Sequence, residues 1–240
     1  MRFPSESGAV LTAWLFEPGE PRAAAVILHG VRADRAAMLS RARLLLDAGF
    51  VVLVPDLQAH GESTGDRITF GFLEARDAEA AVAQLRRRSP DLPMGAIGVS
   101  MGGAAILLAG DRLELDAAVV EAVYPTIEEA VDNRVRSRLG PLSSLASPLL
   151  LLQLRPRLGV APSSLRPIEV VEHLGSPLLV ISGTADELAT EAQTRALFAA
   201  AREPKQLWLV EGARHVDLIR YDREGYERTV LGFLRAHLLS

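Results

Sequence analysis

Gly98-Val99-Ser100-Met101-Gly102-Gly103 decides how the rest of the chain is read. The apolar run before it, residues 94–97, reads as a buried strand, and the run after it, Gly103-Ala104-Ala105-Ile106-Leu107-Leu108-Ala109, reads as a buried helix. A strand, a sharp turn carrying G-x-S-x-G and a helix together make the context of a nucleophile elbow, in which the turn strains its serine and presents the hydroxyl clear of the sheet edge. The chain contains the same pattern a second time, Gly61-Glu62-Ser63-Thr64-Gly65. That copy sits in a polar, Gly-rich loop and is followed by Asp66-Arg67 rather than an apolar helix, so Ser63 reads as a turn residue. Context, not the pattern, selects Ser100.

Working outward, residues 10–16, 23–28, 50–54, 117–123, 179–182 and 207–210 read as further strands. Helical spacing runs between them over residues 38–48, 72–88, 190–201 and 221–238. Thr126-Ile127-Glu128-Glu129 is a capping box that starts another helix. Strand and helix in alternation predict a mostly parallel sheet covered on both faces. Residues 135–167 are rich in Leu, Pro, Ser and Arg and interrupt that alternation. The expected organisation is one domain over 1–240 with an inserted cap at 125–167.

Composition narrows the function classes. The 240 residues include no cysteine, which removes disulfides, thiol nucleophiles and thiolate metal sites. The net charge of −4 argues against nucleic acid as the partner. The first six residues lack the apolar core of a signal peptide. The longest apolar stretch, around 149–152, is far short of the roughly 20 residues of a membrane span. Together these features predict a cytoplasmic protein with no membrane span. Neither H-x-x-x-H nor H-E-x-x-H occurs, so no metal and no cofactor are expected.

Ligands of such sheets sit at the C-terminal ends of the strands. The loops there offer His29-Gly30-Val31, Ser100, Gly183-Thr184-Ala185-Asp186-Glu187 and Glu211-Gly212-Ala213-Arg214-His215. A serine hydroxyl needs a base to take its proton, an imidazole suits that task near neutral pH, and a carboxylate fixes the imidazole's tautomer. Ser100, Asp186 and His215 occur in the chain order this sheet requires. Asp217 and Glu121 are alternative acids. His29 and His60 read as loop-shaping residues, His173 and His237 lie near helix ends, and Glu74 and Asp77 read as a solvated or loop-bracing face.

On these residues the chain resembles the α/β-hydrolases of the serine-hydrolase branch, and is similar to compact bacterial esterases and monoglyceride-lipase or lysophospholipase-like enzymes. The matching pieces are Leu28-His29-Gly30, Asp56 with His60-Gly61-Glu62-Ser63-Thr64-Gly65, residues 98–103, residues 181–186 and Gly212-Ala213-Arg214-His215. The resemblance implies that Ser100 is the nucleophile, Asp186 the orienting acid and His215 the base, with the backbone N–H groups of Val31 and Met101 as the oxyanion hole. It implies a small-molecule ester substrate, with the cap leucines either packing a helix or meeting an acyl chain or a lipid surface. The same triad would serve amide, thioester or peroxide chemistry; a non-catalytic scaffold binding a small molecule or protein is the alternative from another class. Two departures stand out: Gln58-Ala59 where the family has Arg-Gly, expected to alter loop packing, and Arg214 where it has Gly, which would place a cation beside the base if it pointed inward.

Overall fold

The computed structural model describes residues 1–239. Eight strands form one sheet: β1 (Arg2–Pro4), β2 (Val10–Phe16), β3 (Ala23–Leu28), β4 (Phe50–Pro55), β5 (Met94–Val99), β6 (Ala117–Glu121), β7 (Leu178–Gly183) and β8 (Lys205–Val210). Their order is β1-β2-β4-β3-β5-β6-β7-β8. From β4 to β8 all neighbours are parallel, and β2 runs antiparallel to both β1 and β4. The short β1 carries no apolar run, and only its pairing with β2 makes it a strand.

The apolar runs explain the layering. Side chains alternate across a strand, so Ala24, Val26 and Leu28 of β3 enter one core while Ala23, Ala25 and Ile27 enter the other. Strands β4, β6 and β7 divide in the same way. The helices are α1 (Leu39–Asp47), α2 (Phe72–Arg88), α3 (Met101–Ala109), α4 (Ile127–Leu139), α5 (Ser143–Leu151), α6 (Leu154–Leu158), α7 (Pro167–Val170), α8 (Glu191–Ala200), α9 (Leu218–Tyr221), α10 (Arg223–Tyr226) and α11 (Gly232–Leu238). Helix α1 and the C-terminal helices cover one face; α2, α3, α7 and α8 cover the other. Burying each central Val, Leu or Ile contributes about 1.5–3 kcal/mol.

The fold is therefore the expected α/β-hydrolase arrangement, with corrections at three places. Strand β6 stops at Glu121 rather than residue 123, because Ala122 takes φ 51°. The expected single helix over 221–238 is α9, α10, a π-helical stretch Glu227–Leu231 and α11. The segment 135–167 is mostly helical, comprising the end of α4, then α5 and α6. There the hydrophobic pattern is inverted: Ser143 and Ser147 are buried, whereas Leu142, Leu145, Leu149 and Leu152 are 61–74% exposed. Those leucines neither pack a core nor face inward. Leu154, Val160 and Leu165 are the apolar residues that seat the segment. No helix among the described residues is long and apolar enough to cross a membrane.

Candidate active site

The C-terminal ends of β3 to β8 form one rim, and backbone strain concentrates on it. Ser100 sits between β5 and α3 at φ 50°, ψ −110°. Arg32, Ala59 and Ala122, in the segments after β3, β4 and β6, also have positive φ, as does Phe70, whose C=O accepts the Tyr124 hydroxyl. Such conformations cost of order 1–3 kcal/mol each for residues with a Cβ. The elbow is held in place by its neighbours: the Ser100 N–H donates to the Glu121 C=O at 2.7 Å. A Cβ on Gly102 would lie 2.5 Å from the Leu28 C=O oxygen, so only glycine lets the first turn of α3 pack against the end of β3. That packing brings the Val31 and Met101 segments to the same place. Neither N–H is hydrogen-bonded to another group among the described residues.

Two histidines shape the loop that carries Val31. His29 is fully buried; its Nδ1 lies 2.8 Å from the Gly30 C=O, and its Nε2 accepts the Leu57 N–H at 3.0 Å. His60 repeats the device in the other direction, with Nδ1 2.8 Å from the Gln58 C=O and Nε2 accepting the Arg32 N–H at 3.1 Å. Each ring thus staples the β3 loop to the β4 loop. Burial pushes the His29 imidazole down to about 4, with its Gly30 hydrogen bond opposing that shift. The neutral ring that results can accept from Leu57.

The β4 loop is braced by carboxylates. Asp56 accepts the N–H groups of Arg35 and Glu62 and pairs with the Arg35 guanidinium. Asp77 binds the Ser5 and Ser7 hydroxyls and the Gln58 N–H; Glu74 binds Thr69 and the Gly71 N–H. Both are fully buried, so they brace loops and are not a solvated face. Ser63 lies in this loop as a turn residue, its hydroxyl donating to the Asp56 C=O and accepting the Thr12 N–H. Gln58, from one of the two family departures, enters this packing through its N–H and holds the His60 ring through its C=O.

Across the rim, the β7 and β8 loops meet. The His215 Nδ1 lies 2.8 Å from Asp186 Oδ2, and the other Asp186 oxygen accepts the Leu188 and Ala189 N–H groups at 2.8 and 2.9 Å. The loops can approach this closely because residue 183 is glycine: a Cβ there would lie 2.1 Å from the Ala213 C=O oxygen. The two alternative acids are engaged elsewhere, Glu121 with Arg41 and Tyr226, and Asp217 with Arg41 and Arg220. Arg214 points outward to Glu187 at 3.1 Å, away from the imidazole. The Ser100 hydroxyl forms no hydrogen bond among the described residues; in unliganded enzymes such contacts are commonly long and tighten with substrate.

Two contributions were not read from the sequence. Asn133 of α4 donates to the Leu188 C=O at 3.2 Å and to Gln193 Oε1 at 2.8 Å, docking the inserted segment on the Asp186 loop. Arg41 of α1 is the other. It is 1% exposed; burial is the largest single influence and works against its charge, but Glu121, Tyr226 and Asp217 together outweigh it and raise its pKa. An arginine within an amphipathic helix carries no local signal of burial.

Residues 19–166 match the family described as serine aminopeptidase, S33. The chain is 27% identical to human monoglyceride lipase over 232 residues, covering 82% of this chain and 77% of that one. It is also 27% identical to the uncharacterized protein YqkD of Bacillus subtilis over 235 residues, 96% of this chain and 77% of that one. Among solved structures, an esterase of Pyrococcus furiosus superposes with a TM-score of 0.81 at 22% identity, covering 99% of this chain and 90% of the other, a likeness of fold. A family match of this extent, on this sheet, identifies the chain as a member of the serine aminopeptidase S33 hydrolase family, with the α/β-hydrolase fold.

Proposed function

We propose that the protein hydrolyses carboxylic esters through an acyl-enzyme on Ser100. The observation that carries this reading is the 2.8 Å contact between His215 Nδ1 and a buried Asp186 that also accepts two backbone N–H groups. Asp186 accepts from Nδ1–H, which leaves Nε2 unprotonated as the base. In the first half-reaction Nε2 takes the Ser100 proton while Oγ attacks the carbonyl carbon. The oxyanion is received by the Val31 and Met101 N–H groups, each worth about 3–4 kcal/mol in sites of this type. The imidazolium then protonates the departing alcohol, leaving the acyl-serine. Water, deprotonated by Nε2, attacks the acyl carbon and releases the acid and free Ser100.

The family description and the human monoglyceride lipase relative support a hydrolase of this class. Residues 125–167 act as a cap over the site, docked through Asn133. An ester is favoured over a peptide with a free N-terminus by the charge of that cap: residues 125–167 carry six arginines against three carboxylates, and those three are engaged, Glu128 with Arg166, Asp132 with Arg136 and Glu129 with the Thr126 hydroxyl. The absence of cysteine is compatible with a cytoplasmic setting. The test is Ser100→Ala, which abolishes turnover of p-nitrophenyl esters and labelling by a fluorophosphonate. Labelling that survives in the alanine variant refutes the assignment, and a folded wild-type protein inert to esters of every chain length favours a binding scaffold.

A further inference from the structure

We propose that Arg41 is a positioning residue for this site, a buried clamp that holds the nucleophile elbow and the histidine loop in fixed relation. The proposal rests on the reading of Ser100 and His215 given above. One guanidinium reaches two segments of the rim from below. Its Nε and Nη2 donate to the two oxygens of Glu121 at 2.9 and 2.6 Å, and its Nη1 donates to Asp217 Oδ1 at 2.8 Å. Glu121 is the last residue of β6, and its C=O is the acceptor for the Ser100 N–H. Asp217 follows His215 by two residues and precedes α9. Tyr226 completes the cluster: its hydroxyl donates to Glu121 Oε1 at 2.5 Å and its ring lies 5.3 Å from the guanidinium carbon.

The arrangement is costly as a source of stability alone. Arg41 and Glu121 are both 1% exposed, and a buried ion pair can often be replaced by uncharged residues with little loss of stability. What a planar fork supplies is geometry, since it fixes two carboxylates at once in one plane. A nucleophile and base displaced by about 1 Å lose on the order of a hundredfold in rate. Arg41 touches neither the reacting atoms nor the Asp186–His215 pair, so its effect passes through Glu121 and Asp217.

The test compares Arg41→Met/Glu121→Gln, which removes both buried charges and leaves Tyr226 an acceptor, with Asp217→Ala, which removes the acceptor that links Arg41 to the histidine loop together with the exposed Arg220 contact. Melting temperature, kcat, KM and the rate of fluorophosphonate labelling are measured for each, with Arg41→Lys as the conservative variant. The double variant is expected to fold, to lose about 10- to 100-fold in kcat with KM within about twofold, and to label more slowly in proportion. Arg41→Lys, which keeps one contact at a time, recovers part of that loss. A folded double variant with wild-type kcat and labelling rate overturns the proposal. If the double variant does not fold, Asp217→Ala decides: a fall in kcat of fivefold or more at constant KM supports the clamp, and a smaller change refutes it. Ser100→Ala separates the two ideas: labelling that survives there overturns the underlying reading, whereas labelling lost there but unchanged in the folded double variant overturns the clamp alone.

Discussion

Acid should loosen this protein through one histidine. The His29 ring is fully buried and its pKa is depressed from 6.5 to about 4. Between those values the unfolded chain binds a proton that the folded chain does not, so stability is complete above about pH 6.5 and is lost as pH falls towards 4. Each unit is worth about 1.4 kcal/mol, which makes the loss about 2 kcal/mol by pH 5 and about 3 kcal/mol by pH 4. The cause is specific: a proton on Nε2 would point at the Leu57 N–H, setting donor against donor in a dry site. Urea unfolding of the wild type and of His29→Gln, each from pH 7.5 to 4.5, isolates the contribution, because every other titrating group is common to both. The variant is less stable than the wild type at pH 7.5, and the gap narrows by about 2 kcal/mol by pH 5. A gap that stays constant across this range refutes the reasoning, and would mean that the folded loop accepts the protonated ring.

Other expected outcomes follow from the same geometry. Asp186→Asn leaves the fold intact but lowers kcat by roughly 10³- to 10⁴-fold, because the imidazole loses the partner that fixes its tautomer; steady-state kinetics alongside circular dichroism checks this. Gly183→Ala places a carbon 2.1 Å from the Ala213 C=O oxygen, so the β7 and β8 loops must part; kcat falls together with melting temperature, and wild-type values for both would contradict the contact. Leu165→Ala, at a fully buried position, costs about 2–5 kcal/mol in urea unfolding. Leu145→Ala, 72% exposed on α5, costs less than about 0.5 kcal/mol.

The sequence is most informative where side-chain chemistry and backbone period agree. Continuous apolar runs give β3 to β7 nearly residue by residue, because a parallel strand buried on both faces is apolar along most of its length, with Glu121 and Ser182 the polar exceptions near the strand ends. The elbow is legible because it needs small residues, an apolar helix and a serine in fixed order. Strand β1 is not legible, since three residues of mixed polarity become a strand only by pairing. The cap misleads because its helix α5 buries serines and exposes leucines, the reverse of the pattern that guides the reading. Pairwise contacts at long range are the other blind spot: Arg41 and Glu121 are 80 residues apart and Asn133 and Leu188 are 55 apart. Nothing local marks either as a partner. The acid illustrates the middle case, in which the sequence leaves Asp186, Asp217 and Glu121 as candidates, and only geometry shows that Arg41 occupies the last two.

The positive-φ residues on the rim at the C-terminal ends of the strands have a practical consequence for engineering thermotolerance. Net folding stability is commonly about 5–15 kcal/mol, and several left-handed residues at roughly 1–2 kcal/mol each are a sizeable debit against it. Ala59 and Ala122 carry only a methyl group, so glycine at either would relax the backbone and discard almost no packing. Against the extra chain entropy of glycine, about 0.5–1 kcal/mol, the net gain per position is about half to one kcal/mol. Ser100 has no such remedy, because that strained residue is the one proposed to react. A more heat-resistant form of this hydrolase is therefore to be sought by relaxing the positions around the serine while leaving the serine taut.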